Sequence, residues 1–184
     1  MSKTIKIGIG FALAWCLVKY VSFLMDPLPA SIIPTVSINI LFLLSSVAVA
    51  LYFEKRHKQG ETSALGDIKN GLKAAVPYTL VVSLFIYFFY ATINPQYNQH
   101  QIDTAVTLLN KTMEDPVEFQ KFKDSNASFE TMKKEDIFAQ IKTNIDVNYN
   151  PKTITTMALL SMLLLSTFYS MLVTVIYRKI IFKN

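Results

Sequence analysis

Apolar positions fall into four blocks, Ile5 to Met25, Ile32 to Phe53, Leu72 to Ile93 and Ile154 to Tyr177, and charged residues gather at their ends and between them. Each block approaches the roughly 20 residues that a helix needs to cross a hydrocarbon core. The pattern therefore predicts four transmembrane helices. The segment from Asn94 to Lys152 differs, because Ile102, Val106, Leu109 and Met113 recur at helical spacing within a polar background, behind an Asn94-Pro95 start signal. A second short helix is expected from Asp115-Pro116 with Phe119 and Phe122 facing inward. A third, with Thr131 as its cap, places Ile137, Ile141 and Ile145 on one face before Asn150-Pro151 ends it. The chain is expected to be an all-α membrane protein: residues 1–93 hold three transmembrane helices with short loops, residues 94–152 form a small helical extracytoplasmic insertion, and residues 153–184 hold the last span and a tail. Three short helices bury little apolar surface. This cap is expected to pack on the membrane helices, on a second copy or on a partner.

Charge sharpens the topology. The 18 Lys and Arg exceed the 13 Asp and Glu, yet Lys3, Lys6, Lys55, Arg56, Lys58, Lys69, Lys73, Arg178, Lys179 and Lys183 all flank apolar blocks. Membrane orientation accounts for them better than a nucleic-acid partner does. The amino end, the Glu54 to Lys73 connection and the carboxyl end are basic, whereas the Asp26 to Pro34 connection has no base, so both ends are expected in the cytoplasm and residues 94–152 outside. Lys55, Arg56 and Lys58 are expected to meet anionic headgroups. The first block is too long for the apolar core of a signal peptide and lacks a small-x-small cleavage site, so it is expected to be retained; the bulky Trp15 before Cys16 argues against lipidation there. A lone Cys16 allows no intrachain disulfide and no paired-cysteine metal site. His57 and His100 are expected on opposite sides of the membrane. No span is expected to hold an Asp or Glu, and neither a glycine-rich phosphate loop nor an H-E-x-x-H motif occurs. No catalytic residue, metal or cofactor is expected, and the chain is read as a non-enzyme.

Polar residues inside the blocks are the remaining candidates. Lys19 is the only charge well within a block. It either snorkels toward Asp26, two turns away, with Asn39 at similar depth as a hydrogen-bond partner, or serves as a relay or ligand group. Thr79, Ser83, Tyr87 and Tyr90 draw a polar stripe on the third span, and Ser166, Ser170 and Thr174 draw another on the fourth. Measured from the block midpoints, Ser83 is expected level with Ser166 and Thr79 level with Ser170. The seam is either a packing device or a hydrated path. Pro77 removes a backbone donor and is expected to kink its helix. The spacings Gly8 to Ala12, Gly10 to Ala14, Ser46 to Ala50 and Gly71 to Ala75 suit close helix approach. Asp103-Thr104-Ala105 matches a short bacterial O-glycan attachment pattern at Thr104.

The order of parts carries a resemblance. Leu65-Gly66-Asp67-Ile68-Lys69-Asn70-Gly71-Leu72 leads into the third span, Ile93-Asn94-Pro95-Gln96-Tyr97 leaves it, Met132-Lys133-Lys134-Glu135-Asp136-Ile137 lies in the cap, and Tyr177-Arg178-Lys179 closes the last span. In these features the chain resembles the domain of unknown function 4199 family of bacterial membrane proteins over most of its length. Polar Gln96 and Tyr97 depart from the family pattern. The resemblance implies four spans and a bacterial inner membrane, and it implies no activity. The expected function is that of an accessory or scaffold subunit whose periplasmic cap binds a protein partner or a second copy. The alternative is a small-solute or ion carrier using Lys19, Asn39 and Pro77.

Overall fold

A computed structural model describes residues 2–28, 32–57 and 63–181. Lys58 and Lys183, named among the flanking bases, lie outside the described residues. Helix α1 runs Lys3–Met25, α2 Ile33–His57 and α3 Ala64–Phe88, continuing as a π-helical turn, Phe89–Ile93. Then follow α4 (Pro95–Glu114), α5 (Pro116–Asp124), a 3-10 turn (Ala127–Phe129), α6 (Lys134–Asn148) and α7 (Pro151–Ile176), which ends in a second π turn, Tyr177–Ile181. Four helices are long and apolar enough to cross a membrane: Lys3–Met25, Ile33–Arg56, Ala64–Ile93 and Pro151–Ile181. The chain forms two compact units, one of residues 1–87 with 155–184 and one of Phe88–Ile154.

In the first unit large apolar side chains face outward, as lipid requires, with Leu13, Leu17, Leu41, Leu80, Leu84, Leu164 and Phe168 all exposed. Its interior is built instead from small residues, hydroxyls and a few large side chains, among them Tyr78, Leu43, Val47 and Val82. Helix α3 touches each of the other three. A Cβ added at Gly8 of α1 would strike the Ala74 carbonyl oxygen and lie 2.9 Å from its carbon, so only glycine lets these two backbones approach. Farther along, Trp15 meets Phe85 edge-on at 6.0 Å. Gly71 of α3 makes room for Ser170 of α7, whose Oγ would be 2.8 Å from an added Cβ. Ser46, Ala50 and Ala75 are fully buried, while Gly10 faces open space. Three of the four small-residue spacings thus lie in packed interfaces, and the Gly10 to Ala14 pair does not.

In the Phe88–Ile154 unit, proline opens both of the first helices. Pro95 and Pro116 sit where an amide hydrogen would have no helical partner. Asn94 Oδ1 accepts from the Tyr97 amide at 3.2 Å. Asp115 Oδ1 accepts from the amides of Val117 and Glu118 at 2.8 and 3.2 Å. Thr131 is not the third cap: Lys133 holds that position without a side-chain bond, because the Met132 amide is committed to Phe129 in the turn that ends the 3-10 segment. Leu109, Met113 and Ile137 form the centre of the core, with Phe119, Phe122, Phe129, Ile141 and Ile145 packed around it. The face expected for α6 is the one that is buried.

Candidate functional site

Helix α3 starts eight residues before the apolar block does, and this changes the chemistry of the bundle. Ser63 Oγ accepts from the Gly66 amide at 3.1 Å, and the Asp67 amide bonds the Ser63 carbonyl at 3.0 Å, so the helix begins at Ala64 rather than Leu72. The amphipathic approach becomes the first two turns of the spanning helix. Asp67 is thereby carried inside, 1% exposed. The expectation that no span holds an acid fails at this residue.

Two cations from distant parts of the sequence neutralise it. Lys55 Nζ, near the end of α2, lies 3.0 Å from Asp67 Oδ2, and Arg178 Nε, in the turn after α7, donates to the same oxygen at 2.8 Å. Lys55 is 4% exposed, so its charge is withdrawn from water and from lipid headgroups, contrary to the role expected of it; Arg178 keeps 35% of its surface. A carboxylate taken out of water is tolerated only with close, hydrogen-bonded partners. Here it joins three helices at one end of the bundle. Beside it, Thr4 Oγ1 donates to Glu54 Oε1 at 3.2 Å, linking α1 to α2, and Lys73 Nζ donates to Asn70 Oδ1 at 3.1 Å.

The polar seam between α3 and α7 exists, in a shifted register. Thr79 Oγ1 and Ser166 Oγ lie 3.3 Å apart, and Ser170 faces Gly71 instead of Thr79. The shift follows from the helix ends. The midpoint of Ala64–Ile93 falls between Tyr78 and Thr79, and that of Pro151–Ile181 falls on Ser166. Ser166 Oγ also bonds the Met162 carbonyl at 2.6 Å. Steps of four lead from Asp67 through Gly71 and Ala75 to Thr79 and Ser83, and from Arg178 through Thr174 and Ser170 to Ser166. The ion cluster is therefore the end of the seam. Ser83, Ser170 and Thr174 are buried without a hydrogen-bond partner among the described residues.

Asn39 and Lys19 do not form the pair expected. The Tyr78 hydroxyl lies 2.5 Å from Asn39 Oδ1 and 3.1 Å from its backbone oxygen, and Asn39 Nδ2 donates to Met162 Sδ at 3.5 Å. Asn39 thus ties α2 to both α3 and α7. Lys19 is nine-tenths buried rather than extended to water, and Asp26 caps its own turn by accepting from the Leu28 amide at 3.2 Å. Helix α3 runs unbroken through Pro77, which is half-buried.

Sequence reasoning missed Asp67, Lys55 and Arg178 as one cluster. The signal available was that Asp67 stands four residues before Gly71 and so on the stripe already drawn through Thr79. Chemically the arrangement fixes helix register; its carboxylate is enclosed by its own partners.

The sequence model of a family described as protein of unknown function (DUF4199) matches residues 6–179. No curated protein and no solved structure matches the chain.

Proposed function

Because the chain belongs to the DUF4199 family of proteins of unknown function and carries four helices able to cross a membrane, we propose that it is a non-enzymatic accessory or scaffold subunit of a bacterial inner-membrane complex. In this proposal both ends are cytoplasmic and the cap, residues 94–152, is periplasmic and engages a protein partner. The charge pattern along the chain supports that orientation.

The observation that carries the proposal is where apolar surface remains outside the spans. The Phe88–Ile154 unit has its own core, yet Leu108, Val117 and Val147 stay 67, 62 and 52% exposed on it. Large apolar side chains on a water-facing unit suit a surface that another protein covers. In the bundle, by contrast, Asp67, Asn39, Thr79 and Ser166 bond one another's helices. Site-specific photocrosslinking from positions 108 and 147 in native membranes tests the proposal. A discrete adduct is expected, lost with Leu108→Asp and Val147→Asp while the protein stays in the membrane. A chain that yields no adduct from either position and purifies as a monomer refutes it.

A small-solute or ion carrier is the second proposal, supported by the burial of Lys19 within α1. Flux into proteoliposomes that disappears with Lys19→Ala supports it; absence of flux removes it.

A further inference from the structure

The π turn after α3 builds a second polar site, in the Phe88–Ile154 unit. In that turn the Asn94 amide bonds the Phe89 carbonyl at 2.7 Å, one residue farther back than in an α-helix. The next bond of the same kind would run from residue 95 to the Tyr90 carbonyl, and residue 95 is a proline with no amide hydrogen. Asn98 replaces it: its Nδ2 donates to the Tyr90 carbonyl at 3.4 Å. This contact fixes the orientation of the carboxamide, since only the NH2 group can face a carbonyl. Asn98 Oδ1 is then left buried, with no donor among the described residues, on a side chain that is 6% exposed.

Asn98 lines a cleft of about 350 Å³ together with Tyr90, Gln99, Asp146, Tyr149 and Asn150. The lining offers a carboxylate, amide oxygens and two phenol rings, and it contains no basic side chain. Gln99 Nε2 is committed to Asp103 at 2.9 Å, which leaves its oxygen as the uncommitted end. A third phenol, Tyr97, lies with its ring 5.5 Å from that of Tyr90, and burial and the nearby Tyr149 hydroxyl push its own hydroxyl above its ordinary range. A carboxylate beside aromatic faces attracts a cation, and a buried amide oxygen without a donor asks for N–H.

The cleft also has a defined depth. Tyr90 and Ala91 belong to the last turn of the third span and Pro151 opens the fourth. A helix of 30 residues is about 45 Å long, against a hydrocarbon core of about 30 Å, so such span ends reach the headgroup layer.

We propose that this cleft binds a primary ammonium group, Asp146 supplying the charge, Tyr90 and Tyr149 the flanking rings, and Asn98 Oδ1 the acceptor for an N–H. The ammonium comes either from a phosphatidylethanolamine headgroup or from a soluble amine. Gln99 and Asp146 stand exposed at the rim of the cleft. A quaternary ammonium, lacking N–H, leaves Asn98 unsatisfied and is disfavoured.

The full chain in dodecylmaltoside, given equimolar phosphatidylethanolamine and phosphatidylcholine of one acyl composition, is examined by native mass spectrometry for retained lipid, and soluble phosphoethanolamine and phosphocholine are titrated in parallel. The ethanolamine form is expected to be preferred by roughly tenfold, as one charge-assisted hydrogen bond implies. Asn98→Leu, which removes the N–H acceptor, abolishes the preference, and Asp146→Asn, on an exposed helical position, weakens binding of both forms. Preference in the lipid arm alone assigns a headgroup, and displacement by soluble phosphoethanolamine assigns a free amine. Equal binding of both forms in both arms, a preference that survives Asn98→Leu, or binding that Asp146→Asn leaves unchanged overturns the proposal.

Discussion

Replacing Asp67 with Asn tests the cluster most directly, because it removes charge while nearly conserving volume. In the native bundle the Asp67 carboxylate is 1% exposed and lies 3.0 Å from Lys55 Nζ and 2.8 Å from Arg178 Nε. Arg178 is about a third exposed, so much of its charge is already screened and its lost bond counts at the low end of the range for charged partners. Lys55 is 4% exposed, so its ammonium is held out of water. Removing one partner of a buried ion pair costs about 3–5 kcal/mol, and this sets the expected loss for Asp67→Asn. The same principle makes a second prediction inside the first. Asp67→Leu combined with Lys55→Met replaces the buried pair by apolar groups of similar volume, and such replacements are often neutral. The double variant should recover to within about 1–2 kcal/mol of the native chain, the remainder reflecting the bond lost by Arg178. Unfolding of the purified protein by dodecyl sulfate in mixed micelles, followed by circular dichroism, reads the native chain, Asp67→Asn, Asp67→Leu and the double variant. A loss below about 1 kcal/mol for Asp67→Asn, or a double variant no better than Asp67→Leu alone, refutes the account of Asp67 as a desolvated link between three helices.

The same unfolding assay separates Gly8 from Gly10. Gly8→Ala should destabilise by about 1–3 kcal/mol because the new methyl meets the Ala74 backbone, whereas Gly10→Ala, which faces open space, should be neutral or slightly stabilising through helix propensity. Thr79→Val, which breaks the 3.3 Å contact with Ser166 at nearly constant volume, should cost only about 0.6 kcal/mol, and a loss above about 2 kcal/mol would show the seam to be more than packing. Ile137→Ala opens the fully buried centre of the Phe88–Ile154 unit; a cost of about 2–5 kcal/mol should appear as faster amide exchange in α4 and α6, with α1 unaffected.

The four spans were legible because a hydrocarbon core demands long apolar runs, and a single interior charge, Lys19, does not break the run from Ile5 to Met25. The start of the third span was not. Asp67, Lys69 and Lys73 read as water-facing on any one-dimensional scale, and burial of Asp67 depends on Lys55 and Arg178, which only the folded chain brings near. From that boundary the seam register inherited its error, since Thr79 was measured from the wrong midpoint. The α6 face through Ile137, Ile141 and Ile145 was legible from spacing alone, but its cap was not, because Thr131 lies within the turn that the Met132 amide closes on the Phe129 carbonyl and the helix begins only after Lys133. The site at Asn98 had no signal in the apolar pattern. It follows from a π turn meeting Pro95, a coincidence of backbone geometry with one missing amide hydrogen.

The Asp67 link also carries an order of assembly. Lys55 leaves the ribosome before Asp67, but Arg178 follows Asp67 by 111 residues, which at 5–20 residues per second is a delay of roughly 6–22 s. Throughout that interval Asp67 can meet Lys55 but not Arg178. Arrival of the fourth span supplies the second cation, so closing the bundle and completing the cluster are the same event.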